Sequence, residues 1–129
     1  MREILFRAKR NKKYCKEQNW TYGVPFIDHE GDCIFKTSSS EYVVDPETVG
    51  QFTGLTDKNG KRIFEGDIVK GLFLFERSVN AVVTFQDGAF GLEWYRGNVK
   101  TFNAFTSVCN VEYEVIGNIH DNPELLKND

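Results

Sequence analysis

The sequence predicts a mainly β protein, and three observations carry that expectation. Its 129 residues include 11 Phe, 5 Tyr and 2 Trp, and flat rings pack well on a pleated surface. Strong helix formers are thin: there is one Met, and Leu and Ala are sparse. Short apolar runs that alternate with period two recur between Gly, Asn and Asp turn signals. Together these place a small antiparallel barrel over residues 50–129, closed by a short C-terminal helix. Residues 1–49 form an N-terminal β-hairpin lobe. The length suits one domain, or one domain with an added lobe.

Element by element, Ile4 to Ala8 reads as a strand and Lys9 to Lys13 as a charged tip, with a return beginning near Tyr14 and Cys15. Trp20 to Ile27 and Cys33 to Lys36 read as strands around the loop Asp28-His29-Glu30-Gly31-Asp32, where Gly31 supplies a positive φ. Val43 and Val44 are extended, and Pro46 disfavours helix at the residue before it. Asn59-Gly60 signals a two-residue hairpin turn, because both residues tolerate positive φ.

Ile68 to Lys70 is the next strand, entered through Glu65-Gly66-Asp67. Arg77 to Asn80 reads as a loop. Ala81 to Phe85 and Ala89 to Tyr95 are strands joined by Asp87-Gly88, with Phe90, Leu92 and Trp94 on one face. Arg96 to Lys100 reads as a turn, and Phe102 to Val108 is ambiguous. In Val111 to Val115 the apolar residues Val111, Tyr113 and Val115 face inward, and Gly117 ends or bulges that strand. Asp121 to Leu126 reads as a short helix, with Asn122 as its N-cap and Pro123 at the first helical position.

Net charge is -3, which weighs against a general nucleic-acid binder. The charge is uneven: Met1 to Lys16 holds seven cationic side chains against Glu3 alone. The three cysteines are Cys15, Cys33 and Cys109. Their odd number and wide spacing suit reduced thiols in a cytoplasmic protein. No apolar stretch follows the N-terminal charges as a secretory signal would. No run approaches the ~20 apolar residues that span a bilayer.

Several blocks resemble the YopX family of small phage and prophage proteins. They are Ile4 to Ala8, with its F-R-A; Val44 to Leu55, V-D-P-E-T-V-G-Q-F-T-G-L; Asp57 to Lys61; Ile63 to Val69; and Ile116 to Leu125. They follow one another through nearly the whole chain. The resemblance implies an SH3-like barrel in the C-terminal part, a phage or prophage setting, and no assigned catalytic residues. Family members often carry Trp directly after F-R-A, where this chain has Lys9.

Candidate sites read mainly as structure. Gly66-Asp67 suits a turn whose carboxylate accepts backbone N–H groups. Asp28, His29, Glu30, Asp32 and Cys33 are the densest group able to ligate a metal, yet they match no metal-ligand spacing. Cys109 as a nucleophile would need a base such as His120, and no motif surrounds either. Neither Gly-rich phosphate loop is present. No cofactor and no enzymatic activity are expected.

The leading functional expectation is a non-catalytic protein-interaction module, its partner being another copy, a phage protein or a host protein. The alternative is a nucleic-acid-binding module that uses the basic hairpin, with Arg7, Lys9, Arg10, Lys12, Lys13 and Lys16 contacting phosphate while an aromatic ring stacks on a base. Leu72-Phe73-Leu74-Phe75 places large apolar residues on both faces of a strand. That pattern predicts a homo-oligomer with this segment in its interface.

Overall fold

A computed structural model describes residues 3–73, 77–105 and 113–127. Within them the chain forms eleven strands: β1 (Phe6–Lys9), β2 (Trp20–Ile27), β3 (Cys33–Lys36), β4 (Glu41–Val43), β5 (Gly50–Thr56), β6 (Arg62–Phe64), β7 (Asp67–Phe73), β8 (Arg77–Gln86), β9 (Ala89–Arg96), β10 (Val99–Ala104) and β11 (Glu114–Asn118). The 3-10 turns Pro46–Thr48 and Pro123–Leu126 also lie among the described residues. No helix among the described residues is long and apolar enough to cross a membrane.

The strands make two antiparallel sheets, ordered β4-β3-β2-β1-β5-β6 and β10-β9-β8-β7-β11. The chain divides into two compact units, Met1–Phe52 and Thr53–Asp129. β5 runs from one into the other. Its first residues pair with β1, Arg7 opposite Gly50 and Phe6 opposite Gln51.

In the first unit, Ala8, Cys33, Phe35 and Val44 form the core, with Phe6 and Val49 against it. In the second, the core face carries Val69 of β7, Val79, Ala81 and Val83 of β8, and Leu92 and Trp94 of β9. Ile63 and Tyr113 complete that cluster, and Val115 packs on it. Tyr113 and Val115 therefore face inward, as the alternation predicts.

Four expectations change in detail. The five-stranded sheet is open, not a closed barrel: closure needs the two edge strands to meet over a shared length. No ladder joins β10 to β11 among the described residues. The Arg77–Asn80 loop is instead the start of β8. Val79 continues the inward period of Ala81 and Val83, so the polar Ser78 and Asn80 lie on the other face. β10 (Val99–Ala104) takes in the end of the Arg96–Lys100 turn and the start of the ambiguous Phe102–Val108 stretch. Finally, Pro123–Leu126 is a single 3-10 turn without a side-chain cap; the Asn122 Oδ1 instead accepts the Asn118 N–H at 3.3 Å. The bulge at Gly117 is present, as a register shift between Val115 and Gly117.

Candidate functional site

The basic hairpin does not gather its cations into one patch. Successive residues of a strand point to opposite faces, and β1 divides its charges accordingly. Lys9 stands opposite Trp20, and Arg7 opposite Tyr22. The Arg7 guanidinium carbon lies 4.7 Å and the Lys9 ammonium 5.6 Å from the centroid of the Trp20 ring. Both cations belong to the outer face of the sheet. Arg10 shares the parity of the core residue Ala8, and its guanidinium carbon sits 3.7 Å from the Tyr42 ring centroid. Lys12, Lys13 and Lys16 are exposed in the turn before β2, where the Lys13 N–H donates to the Asn11 Oδ1.

The outer face carries a feature that the sequence reading passed over. Tyr22, Val24 and Phe26 occupy alternate positions of β2 and are 50%, 53% and 41% exposed. On the opposite parity Thr21 is buried and Gly23 and Pro25 are half-buried, while Ile27 at the strand's end is exposed. At Gly23 a Cβ would collide with the Lys36 carbonyl of β3, so only glycine lets the strands approach there. Pro25 follows the last residue that β1 pairs, Gly23. Its missing N–H therefore falls where β2 is bonded on the β3 side alone. Across β3, Lys36 stands opposite Val24 and Ile34 opposite Phe26. Aromatic rings and charged groups thus share one face: Lys9 and Arg7 toward the Trp20 end, and Lys36 at mid-strand with Glu41 of β4 opposite it.

At the other end of β2 the acidic turn holds Asp28, Glu30 and Asp32, with one carboxylate oxygen of each within 4.8 Å of the others. The remaining two candidate ligands do not join them. His29 is exposed, 3.9 Å from Glu30, and Cys33 is buried in the core, where desolvation raises its thiol pKa. The Asp28 Oδ1 already accepts the N–H groups of Glu30 and Asp32, both at 2.9 Å. The group is a hairpin turn held by its own first residue.

Asp57 plays the same part in the next hairpin. Its Oδ1 accepts the Asn59 and Lys61 N–H groups at 2.8 and 2.9 Å, and its Oδ2 takes the Val115 N–H at 3.0 Å. Burial pushes this carboxyl up, but those three backbone bonds outweigh it and hold the pKa below the usual range. Asp67 is buried and accepts the Phe64 N–H at 2.8 Å, closing the turn in which Gly66 has φ 91°. Its role matches the turn predicted for Gly66-Asp67.

Sequence reasoning missed a buried polar group on the open sheet. The Glu93 side chain accepts from Gln86 Nε2 at 2.6 Å, Tyr95 Oη at 3.0 Å and Lys100 Nζ at 2.9 Å. Desolvation raises its pKa, but the bonds from Lys100, Gln86 and Tyr95 more than offset this and depress it. The residues come from three strands, so only the register of β8, β9 and β10 brings them together. Of the predicted interface, Leu72 and Phe73 stand opposite Ser78 and Arg77 at the end of β7. Their side chains, and Leu74 and Phe75 entirely, lie outside the described residues. Cys109 also lies outside them.

The family model described as YopX protein matches residues 5–127. Among solved structures, protein EF1440 from Enterococcus faecalis is similar, with a TM-score of 0.60 and 26% identity. That likeness covers 98% of this chain and 100% of the other. The protein yopX from Bacillus subtilis is similar in fold, with a TM-score of 0.60, 22% identity and the same coverage. No curated protein matches the chain.

Proposed function

We propose that this chain, which belongs to the YopX family, is a non-catalytic binding module of a phage or prophage, and that it binds through the outer face of β1, β2 and β3. The observation that carries this reading is the row Tyr22, Val24 and Phe26, large apolar side chains left in solvent at alternate positions of one strand. Single exposed apolar residues need no explanation, whereas a contiguous row rimmed by charge marks a contact surface. The buried acids support the non-catalytic part. Asp57, Asp67 and Glu93 are each engaged in hydrogen bonds that hold turns or strands together. For the second unit, the strand number and antiparallel order support an SH3-like arrangement that stays open.

Site-directed photo-crosslinking tests the surface. A photoreactive phenylalanine analogue replaces Tyr22, and in a control replaces Tyr14, which is exposed outside the face. In host cells producing the protein, the Tyr22 position should trap a discrete species and the Tyr14 position should not. Equal trapping at both positions, or none at Tyr22, rejects the assignment.

A further inference from the structure

We infer that the face of β7, β8 and β11 turned away from the core is a peptide-binding groove, and that the chain's own turn Pro123–Leu126 occupies it as an autoinhibitory strap. This second surface lies in the unit Thr53–Asp129 and is independent of the outer face of β1, β2 and β3. Ile68 and Val82 are 0% and 5% exposed, yet neither belongs to a core cluster. Each alternates with core residues, Ile68 with Val69 and Val82 with Ala81 and Val83, so both point to the opposite face. The register sets Gly117, Ile68 and Val82 side by side across β11, β7 and β8. An open antiparallel sheet leaves such a face to water unless another segment lies on it.

The segment on it is the turn after β11. A Cβ at Gly117 would stand 2.6 Å from the Asn122 Oδ1 and 3.0 Å from the Leu125 Cδ1, so glycine lets the turn sit down on the sheet. Asn80, on the same face of β8 as Val82, donates its side-chain amide to the Leu125 carbonyl at 2.8 Å. Gly117 and Asn80 lie on either side of β7, so the turn crosses the sheet where Ile68 is. The seat matches what a peptide carries: an apolar side chain, and a backbone carbonyl for a side-chain donor. Its present occupant is held lightly. It is a single 3-10 turn without a side-chain cap, Leu125 and Leu126 are half-buried, and Pro123, Glu124 and Lys127 are exposed. A segment with few buried apolar contacts belongs to the low-stability end of a fold. The turn therefore lifts before the sheet opens. The groove then takes a segment of the same chemistry from a partner protein: a non-helical Leu-Leu peptide whose first leucine offers its carbonyl to Asn80.

Fluorescence anisotropy with a labelled synthetic peptide of residues 119–127 tests this on the full chain. Apparent affinity is reduced by the fraction of molecules whose groove is open. Leu125→Asp, which empties the groove by placing a charge over Ile68, should therefore bind the peptide roughly tenfold or more tightly than the parent does. A peptide carrying the same Leu125→Asp change should not bind. Adding Asn80→Ala to the Leu125→Asp protein should weaken binding about fivefold, the loss of one hydrogen bond. Circular dichroism checks folding, and the milder Leu125→Ala serves where Leu125→Asp does not fold. Unfolding of both variants overturns the inference, because the turn is then part of the core. So does peptide affinity no higher in the variants than in the parent, or equal binding of the Asp-bearing peptide. A concentration-dependent dimer of the parent that Leu125→Asp abolishes assigns the groove to a second copy and overturns the partner.

Discussion

Asp57 gives both carboxylate oxygens to backbone donors, and Asp28 gives one. The two turns are otherwise alike: Asp28 N–H donates to the Asp32 carbonyl and Gly31 N–H to the Asp28 carbonyl, and the same bonds join Asp57, Gly60 and Lys61. The difference is the third bond, from Asp57 to Val115 on β11, which ties the hairpin to a strand far along the chain. A hydrogen bond to a charged group contributes about 1.5–3 kcal/mol, and a buried N–H left without a partner adds its own cost. Asp57→Ala should therefore destabilise the protein by about 3 kcal/mol, and Asp28→Ala by about 1, since the N–H groups it frees can return to water. Denaturant titration of both variants measures this. Equal losses would show that the tie to Val115 contributes nothing.

At the scale of elements, turn chemistry was legible where glycine alone decides it. Asp87-Gly88 reads as a two-residue hairpin turn with positive φ at both positions, and the angles are 51° and 82°. Asn59-Gly60 carries the same signal, yet only Gly60 is positive, at 81°. The Asp57 side chain binds the Asn59 and Lys61 N–H groups and selects the longer loop, in which one residue is left-handed. That choice depends on a side chain two residues upstream of the dipeptide, which the dipeptide rule does not see. A Cβ at Gly60 would meet nothing within 4 Å, so substitution there costs backbone strain alone. Gly60→Ala should lower stability by about 1–2 kcal/mol and Gly60→Asn by less, because Asn visits the left-handed region more readily. Thermal melts of the two variants check the order. The strand faces of β9 were legible for the same kind of reason: Leu92 and Trp94 need only the period of two. The start of β8 was not, because Arg77, Ser78 and Asn80 look like loop until Val79 is seen to point into the core.

At the scale of the molecule, the candidate site was the least legible part, because it depends on register. The cations Arg7, Lys9 and Arg10 are close in sequence but divide between two faces, while Lys36 joins Lys9 only through the pairing of β1, β2 and β3. Glu93, Gln86 and Lys100 likewise meet only across three strands. We propose self-association through Leu72 to Phe75, because four large apolar residues in a row cannot all enter one side of a strand. Light scattering should find a homo-oligomer that dissociates on Phe73→Asp or Phe75→Asp, and a monomer at high micromolar concentration rejects it. Acid stability follows from the two depressed carboxyls. Asp57 and Glu93 both lie in the unit Thr53–Asp129, and in each the hydrogen bonds outweigh burial to lower the pKa. A carboxyl depressed by folding stabilises the native state above its unfolded pKa, about 3.9 for Asp and 4.3 for Glu. That contribution disappears as pH falls through the folded value. Stability should therefore hold from pH 7 to about 5 and fall below about 4. Glu93→Gln should be less stable than the parent by about 1–2 kcal/mol at pH 7, with the gap closing in acid. Hydrogen exchange at β8, β9 and β10 amides, followed from pH 7 to 3, reads both effects. A gap that stays constant across that range would show that the charge of Glu93 does not contribute to holding those strands.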